Sequence, residues 1–250
     1  MDNYEKIAGK YRMIYDHHTH TIYSHGKGTI EDNVKVAFSK GLRSIAITDH
    51  GPGHLTYGMK MEKIPEMKAE IKRLSAVYPS VKVLLGVEAN TLRKPPYLDV
   101  TEEDKQQLDI LLAGYHFGIL NAGMVPNYIY SKTGAFGGNS SSLMVKNTDM
   151  ILNALYENKI DILTHPGDKG PFDIHDIAAA CQDTGTMVEI NAKHKHLTIE
   201  EIKIAARFDV KFIIGSDAHI PEKVGEFKEP LIRALKAGLE PERIVNIEKI

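Results

Sequence analysis

Short apolar runs of strand length alternate along the chain with longer stretches that have the length and patterning of helices. Glycine, proline and polar residues punctuate the boundaries between them. This pattern predicts strands at residues 13–15, 44–47, 81–87, 108–114, 160–163, 186–190 and 210–214. It predicts helices from residue 29 or 31 to 40, and at 61–77, 143–158, 174–183, 198–208, 230–237 and 241–247.

The alternation forms seven strand–helix units without a linker between them, so we expect a single domain over residues 1–250. Such alternation predicts an α/β fold in which helices cover a parallel sheet. Seven or eight units in about 250 residues favour a closed barrel related to the eight-stranded kind. An open doubly wound sheet is the alternative, but its glycine fingerprint after the first strand is missing.

One segment, residues 117–142, does not follow this rhythm. It contains five glycines together with Tyr128, Tyr130 and Phe136, and it is longer than a usual connection. It follows a strand end, so it starts at the mouth of the predicted barrel. A lid over a substrate and a surface or oligomer contact are equally compatible with this composition.

Composition restricts the class of protein. The formal net charge is −2, so no global basic field favours long nucleic acid as a partner. The one cysteine, Cys181, excludes a disulfide framework and a cysteine-based zinc cluster. Residues 1–10 lack the features of a signal peptide, and no apolar run has the length of a membrane span. We therefore expect a soluble cytoplasmic protein; whether it forms a homo-oligomer is left open.

Metal-ligand residue types stand at the carboxyl ends of six of the seven predicted strands. In an extended chain His18 and His20 point to the same side, because residues two apart share a face. The carboxyl ends of barrel strands are where active sites lie in parallel α/β barrels. The nine residues at these ends are His18, His20, His25, His50, Glu88, His116, His165, Asp217 and His219.

Nine ligands are too many for one zinc ion, which takes three or four from the protein. They suit two or three metals with a carboxylate bridging a pair, and Glu88 or Asp217 could provide that bridge. A structural site would use thiolates and close its coordination shell. This set is rich in imidazole and low in negative charge, so we expect it to attract an anion such as phosphate.

These residues occur in motifs that resemble a known family. The motifs are Asp16-x-His18-x-His20-Thr21, Ile47-Thr48-Asp49-His50, Gly86-Val87-Glu88-Ala89, Ala113-Gly114-Tyr115-His116, Thr164-His165-Pro166 and Gly215-Ser216-Asp217-Ala218-His219. In this order they resemble the motif series of the PHP (polymerase and histidinol phosphatase) family, most closely its small stand-alone bacterial phosphatases. One departure is His17, where the family usually has an aliphatic residue.

The resemblance implies a distorted (β/α)7 TIM-like barrel that holds three divalent metal ions, with zinc expected and manganese or iron as alternatives. By analogy, one metal would bind His18, His20, Glu88 and Asp217. A second would bind Glu88, His116 and His165, and a third His25, His50 and His219. The implied reaction is hydrolysis of a small phosphorylated substrate by a metal-bridging hydroxide, which makes the chain a phosphomonoesterase without a protein nucleophile.

Other functions remain open at this point. A histidinol phosphatase or a nuclease or nucleotidase acting on nucleotide ends would use the same centre. A metal-dependent amidohydrolase barrel also begins with His-x-His and ends with Asp, but it would not require His25, His50 and His219 as a third site. A non-catalytic metal-binding barrel is the alternative that involves no enzyme.

Several residues near the ligands receive weaker predictions. Asp16 and Asp49 precede ligand positions, so each either orients a ligand imidazole or makes a loop hydrogen bond. Lys193 and Lys195 follow the sixth predicted strand and could bind substrate phosphate as point charges, although a solvated basic turn explains them as well. The remaining histidines, outside the ligand set, are His17, His54, His175, His194 and His196.

Overall fold

A parallel sheet of seven strands forms the centre of the protein in a computed structural model, which describes residues 3–120, 122–133 and 140–250. The strands follow one another in chain order: β2 (Tyr15–Asp16), β3 (Ser44–Ile47), β4 (Lys82–Asn90), β5 (Ile110–Gly114), β6 (Ile162–Leu163), β7 (Met187–Asn191) and β8 (Phe212–Gly215). A parallel bridge between Thr19 and Ala218 joins the first strand to the last. The predicted α/β barrel is therefore confirmed, and it is nearly closed.

The seam between β2 and β8 is completed below this bridge by one side chain, Asn246. Its amide donates to the carbonyl oxygens of Tyr15 and Ile214 at 2.9 and 2.7 Å, and its side-chain oxygen accepts from Ile214 N–H at 2.9 Å. Its own carbonyl accepts from Ile14 N–H at 2.9 Å. Backbone groups at the two sheet edges, which would otherwise be unpaired, are satisfied through this residue.

Helices surround the barrel. They are α1 (Asn3–Ala8), α2 (Ile30–Ser39), α3 (Ile64–Val77), α4 (Glu102–Lys105), α5 (Met124–Thr133), α6 (Ser140–Glu157), α7 (Ile174–Thr184), α8 (Ile199–Ala205) and α9 (Lys228–Lys236). Thr29 and Asp32 form a capping box that starts α2. Asp173 caps the start of α7, and Gly185, with φ of 75°, ends it.

The C-terminal segment differs from its prediction. Residues 241–247 were expected to form a helix, but only Pro241–Arg243 form a 3-10 turn, and Ile247–Lys249 form strand β9. This strand pairs antiparallel with β1 (Tyr11–Met13). The predicted first strand at residues 13–15 is likewise divided between β1 and β2. Pairing with a partner more than 200 residues away outweighed the local pattern here.

Alternation along the strands fills the barrel interior in layers. A small apolar cluster occupies the barrel interior, with Ala46, Leu112, Ile162 and Ile213 among its members. Because residues two apart share a face, Gly114 and His116 follow Leu112 on the inside, and Gly215 and Asp217 follow Ile213. The apolar floor therefore leads directly to the ligand-type residues at the carboxyl ends.

The segment at residues 117–142 contains helix α5 and the start of α6, and part of it lies outside the described residues, including Phe136. Val125 and Tyr128 on α5 are exposed. The choice between a lid and a contact surface therefore stays a prediction. Among the described residues, no helix is long and apolar enough to cross a bilayer.

Candidate metal centre

All nine predicted ligands gather at the carboxyl end of the barrel, and Glu88 lies at the centre of the group. Its Oε1 is 3.3 Å from both His18 Nε2 and His116 Nε2, and 3.0 Å from His165 Nε2. Its Oε2 is 3.0 Å from His50 Nδ1 and 3.6 Å from His20 Nε2. A carboxylate with imidazoles on both oxygens has the arrangement of a bridging ligand.

Asp217 provides the second carboxylate. Its Oδ1 is 3.3 Å from His20 Nε2, 3.9 Å from His18 Nε2 and 3.1 Å from His219 Nδ1. Asp217 and His165 both have left-handed backbone, with φ of 50° and 29°. Such conformations cost about 1–3 kcal/mol each and persist where the surroundings enforce them, commonly at functional sites.

His25, His50 and His219 lie together on one side of the group. The ring centre of His25 lies 4.8 Å from that of His50 and 4.1 Å from that of His219. Tyr57 covers His25 at 4.1 Å and stacks on His54 at 3.4 Å between ring centres. These three histidines are the set assigned by analogy to a third metal.

The donor set fits metal ions. Within the described residues, several buried nitrogen and oxygen atoms make no hydrogen bond of normal geometry despite their short mutual distances. They include His20 Nδ1, His50 Nδ1, Glu88 Oε2 and His116 Nε2. Leaving such atoms unpaired costs about 1–3 kcal/mol each, so their convergence favours cations among them. Donor atoms lie within 4.8 Å of one another in the sets His18–His20–Asp217, His20–His50–His219, His50–Glu88–His116 and His165–His194–Asp217.

Comparison with known proteins agrees with these geometric observations. The sequence model of the PHP domain matches residues 16–192, which is more than half of the chain. The chain belongs to the PHP domain family. The resemblance seen in the motifs is thereby confirmed.

Curated relatives of this PHP protein are named as probable phosphatases. One from Thermoanaerobacter sp. (strain X514) is 32% identical, with 95% of this chain and 91% of the relative covered. One from Caldanaerobacter subterraneus is 34% identical, with 96% and 91% covered. A solved structure of histidinol phosphate phosphatase from Lactococcus lactis, complexed with zinc, L-histidinol and phosphate, has a TM-score of 0.63. Its sequence identity is 16% over 91% of this chain and 95% of that one, so this likeness concerns the fold.

Electrostatics favour the metal-binding protonation state in most of the candidate ligands that show a pKa shift. His18 is the exception, because burial lowers its pKa but the carboxylates of Glu189, Glu88 and Asp217 raise it well above its usual value. Burial alone would raise the pKa of Glu88, but the imidazoles of His116, His18 and His50 hold it well below its usual value. Burial would also raise the pKa of Asp217, but His18 and His194 hold it well below its usual value. Burial lowers the pKa of His20 and His116, and burial, His219 and His50 lower that of His25 to about 3.

Glu189, which was not predicted from the sequence, contacts the candidate ligand His18. It is fully buried on β7, and its Oε1 accepts a hydrogen bond from His18 Nδ1 at 2.6 Å. Because a carboxylate only accepts, His18 donates its Nδ1 proton to Glu189, so Nε2 is the nitrogen that could lose its proton and bind a metal. Gly215 makes room, since a Cβ there would lie 1.8 Å from Glu189 Oε1. The signal in the sequence was a single acid within an apolar strand.

Asn90 performs the same task for His116. Its side-chain oxygen lies 2.8 Å from His116 Nδ1, and its amide donates to Asp99. With the amide committed to Asp99, the oxygen accepts the proton of Nδ1, so the free lone pair of His116 again lies on Nε2. Asn90 had no predicted role from the sequence.

Asp16 and Asp49 hold backbone and hydroxyl groups, which matches the loop role rather than the orientation of an imidazole. Asp16 accepts from Ser216 N–H at 3.2 Å and from Gly225 N–H at 2.8 Å. Asp49 accepts hydrogen bonds from the Thr21 N–H at 2.8 Å and from the Thr21 hydroxyl at 2.6 Å. Both carboxylates therefore fix the loops that carry ligands, and the rings themselves are oriented by Glu189 and Asn90.

The two lysines that follow β7, Lys193 and Lys195, lie in different places. Lys193 Nζ lies 3.4 Å from Asp217 Oδ1 and 3.0 Å from His219 Nδ1. Lys195 instead lines a different surface depression, beside α8 and α9. The chain bends between them, so the extended conformation that would put both lysines on one side is absent from this described segment.

His194, which carried no preferred role, reaches the centre. Its Nε2 is 3.2 Å from Asp217 Oδ2 and its Nδ1 is 3.2 Å from Asp168 Oδ2. Burial lowers the pKa of His194, but hydrogen bonds to Asp168 and Asp217 raise it to about 9.

The other histidines lie apart from the ligand group. His17 contacts Ser44 and stacks on Tyr15, as expected for a ring that points away from the metals. His175 is exposed beside Asp176, and His196 pairs with Glu201.

Proposed function

We propose that this PHP protein is a metal-dependent phosphomonoesterase that hydrolyses small phosphorylated molecules at a three-metal centre. The observation that carries the proposal is the convergence of eight ligand-type side chains around Glu88, where several buried nitrogen and oxygen atoms make no hydrogen bond. The enzyme class itself, a hydrolase acting on phosphate ester bonds, follows from the family model and from the relatives named probable phosphatases.

In this proposal the nine candidate ligands are divided among three metal ions. His18, His20, Glu88 and Asp217 would hold one metal, and Glu88 with His116 and His165 a second. His25, His50 and His219 would hold a third. When bound, divalent metals supply a hydroxide nucleophile at neutral pH and positive charge against the phosphoryl oxygens. Zinc is the proposed metal, because imidazole and carboxylate ligands suit it, and manganese or iron are alternatives.

Lys193 is the proposed phosphate-binding side chain. Its ammonium lies 3.0 Å from His219 Nδ1 and its side chain is 42% exposed, so it faces the open side of the ligand group. Lysine binds phosphate as a point charge, without the paired geometry of arginine. The position of Lys195 beside α8 and α9 gives it no such role.

Reconstitution with defined metals tests the proposal. Protein loaded with zinc, manganese or iron should bind about three ions per chain by elemental analysis and hydrolyse p-nitrophenyl phosphate. His165→Ala should abolish turnover, whereas His175→Ala, which replaces an exposed histidine outside the ligand group, should not. Absence of hydrolysis with all three metals would refute the proposal, and two metals per chain would refute the three-metal centre.

Hydrolysis of histidinol phosphate is the second candidate, favoured by the fold shared with the Lactococcus enzyme whose structure contains L-histidinol. Direct comparison of histidinol phosphate with other small phosphate esters distinguishes the two. A kcat/KM for histidinol phosphate far above that of every other ester would favour the second candidate.

A further inference from the structure

A cavity of about 500 Å³ opens beside the ligand group. Its lining includes His25, Asp217 and His219 from the ligand group, together with Lys27, Lys193 and Lys223. We call it the lysine cavity. Its size lies in the range of small-molecule sites, and it shares three side chains with the candidate metal centre. A group attached to a phosphate at that centre can therefore extend into it.

The loops that form the lysine cavity are held together by hydrogen bonds to backbone carbonyl oxygens. Lys27 N–H donates to the His219 carbonyl oxygen at 2.8 Å, which places Lys27 beside the end of the β8 loop. Lys40 Nζ donates to the Glu222 carbonyl oxygen at 3.1 Å and so ties α2 to the same loop. The cavity is thus a built part of the barrel mouth.

Among the charged side chains of its lining, cations outnumber anions. Outside the metal-ligand set, the charged lining residues are three lysines and one carboxylate, Glu226, which already pairs with Lys223 at 2.8 Å. Lys27 has no ion pair among the described residues, and Asp217, the neighbour of Lys193, is committed to the ligand set. An occupant with negative charge would compensate the excess, whereas a cationic one would be repelled.

We infer that the lysine cavity binds a second anionic group on the substrate, so that the favoured phosphate esters have a leaving group that itself carries phosphate or carboxylate. The inference rests on the proposed function, because it concerns the leaving-group side of the same site. It disfavours histidinol phosphate, whose leaving group carries an amine.

Three esters of one scaffold test the inference. Each is a three-carbon chain with phosphate at one end and hydroxyl, carboxylate or a second phosphate at the other. Because the lysines are partly exposed, the wild-type kcat/KM should favour the anionic esters over the hydroxyl ester by about threefold to tenfold. Histidinol phosphate should fall below the hydroxyl ester. Raising ionic strength from 0.05 to 0.5 M should shrink the preference, because exposed charges are screened.

A double variant, Lys27→Met with Lys223→Met, should remove most of the preference. Lys72→Met, which replaces an exposed lysine on α3, is the matched control and should preserve it. Whichever anionic ester is preferred identifies the second group as phosphate or carboxylate. Equal kcat/KM for all three esters, or a preference that survives in the double variant, would overturn the inference.

Binding measurements separate failure of this inference from failure of the proposed function. Propane-1,3-diphosphonate and propylphosphonate are not hydrolysed, and calorimetry gives their Kd values on metal-loaded protein. The diphosphonate should bind about threefold to tenfold more tightly to the wild type and lose this advantage in the double variant. If no ester is hydrolysed, the proposed function fails, and this pair still decides whether the cavity prefers a second anion.

Discussion

Glu189→Gln is the substitution that best tests how the buried ligands are oriented. The carboxylate accepts from His18 Nδ1 at 2.6 Å through Oε1, and from His165 N–H and the Asn191 amide, each at 2.9 Å, through Oε2. A glutamine has one oxygen and one NH2 group. Its oxygen can face His18 or the other two donors, but not both.

The size of the effect follows from this conflict. At least one buried donor loses its acceptor and meets an NH2 group, which should cost about 1–3 kcal/mol of unfolding free energy. For a chain of this size that corresponds to roughly 2–4 °C in Tm per kcal/mol. Loss of the partner that orients a metal-binding histidine typically weakens metal affinity by about 10- to 100-fold.

Urea unfolding of the metal-free protein measures the first quantity, and competition with a chelator measures metal affinity. Glu62→Gln, which changes an exposed carboxylate without touching the barrel, is the control and should match the wild type. Metal affinity within threefold of the wild type, together with unchanged unfolding free energy, would refute the assigned role of Glu189.

Three further predictions concern metals, substrate and pH. Chelation should lower the Tm, because a ligand bound only to the native state adds about 2.7 kcal/mol at a hundredfold excess over its Kd; an unchanged melt with proven metal loss would refute this. Lys193→Ala should raise KM for phosphate esters several-fold without altering metal content, whereas Lys195→Ala should leave both unchanged; equal kinetics in the two variants would contradict the assignment. In metal-free protein the pKa of His194 is raised to about 9, so its stabilisation is present below pH 6.5 and lost as pH rises through about 9. Urea unfolding across this range should show a steeper decline for the wild type than for His194→Gln, and parallel curves would exclude that contribution.

The sequence was sufficient to predict that the nine ligand-type residues meet at one rim, because their positions depend on a local rule. Parallel strands deliver their carboxyl ends to one rim, so residues that directly follow separate strands, such as His116 and Asp217, meet there whatever the details of packing. The strand at residues 44–47 was also predicted with its observed bounds. Alternating apolar and helical patterns carry this information without reference to distant parts of the chain.

Contacts between residues far apart in the chain could not be predicted from the sequence in the same way. Glu189 and His18 are 171 positions apart, and nothing near either residue indicates which imidazole nitrogen the acid contacts. The helix predicted at residues 241–247 was wrong, and strand β9 was not predicted, because its partner β1 lies at the opposite end of the chain. Lys195 was paired with Lys193 on the assumption of extended backbone, which the bend after Asn191 removes.

The closure of the barrel through Asn246 has a consequence for folding during synthesis of the chain. Tyr15 and Asn246 are 231 positions apart, so the first strand of the barrel leaves the ribosome long before the residue that completes its edge. At about 5–20 residues per second, that interval lasts roughly 10–50 s. During it, the exposed edge of β2 is available to chaperones or to the edges of other nascent chains.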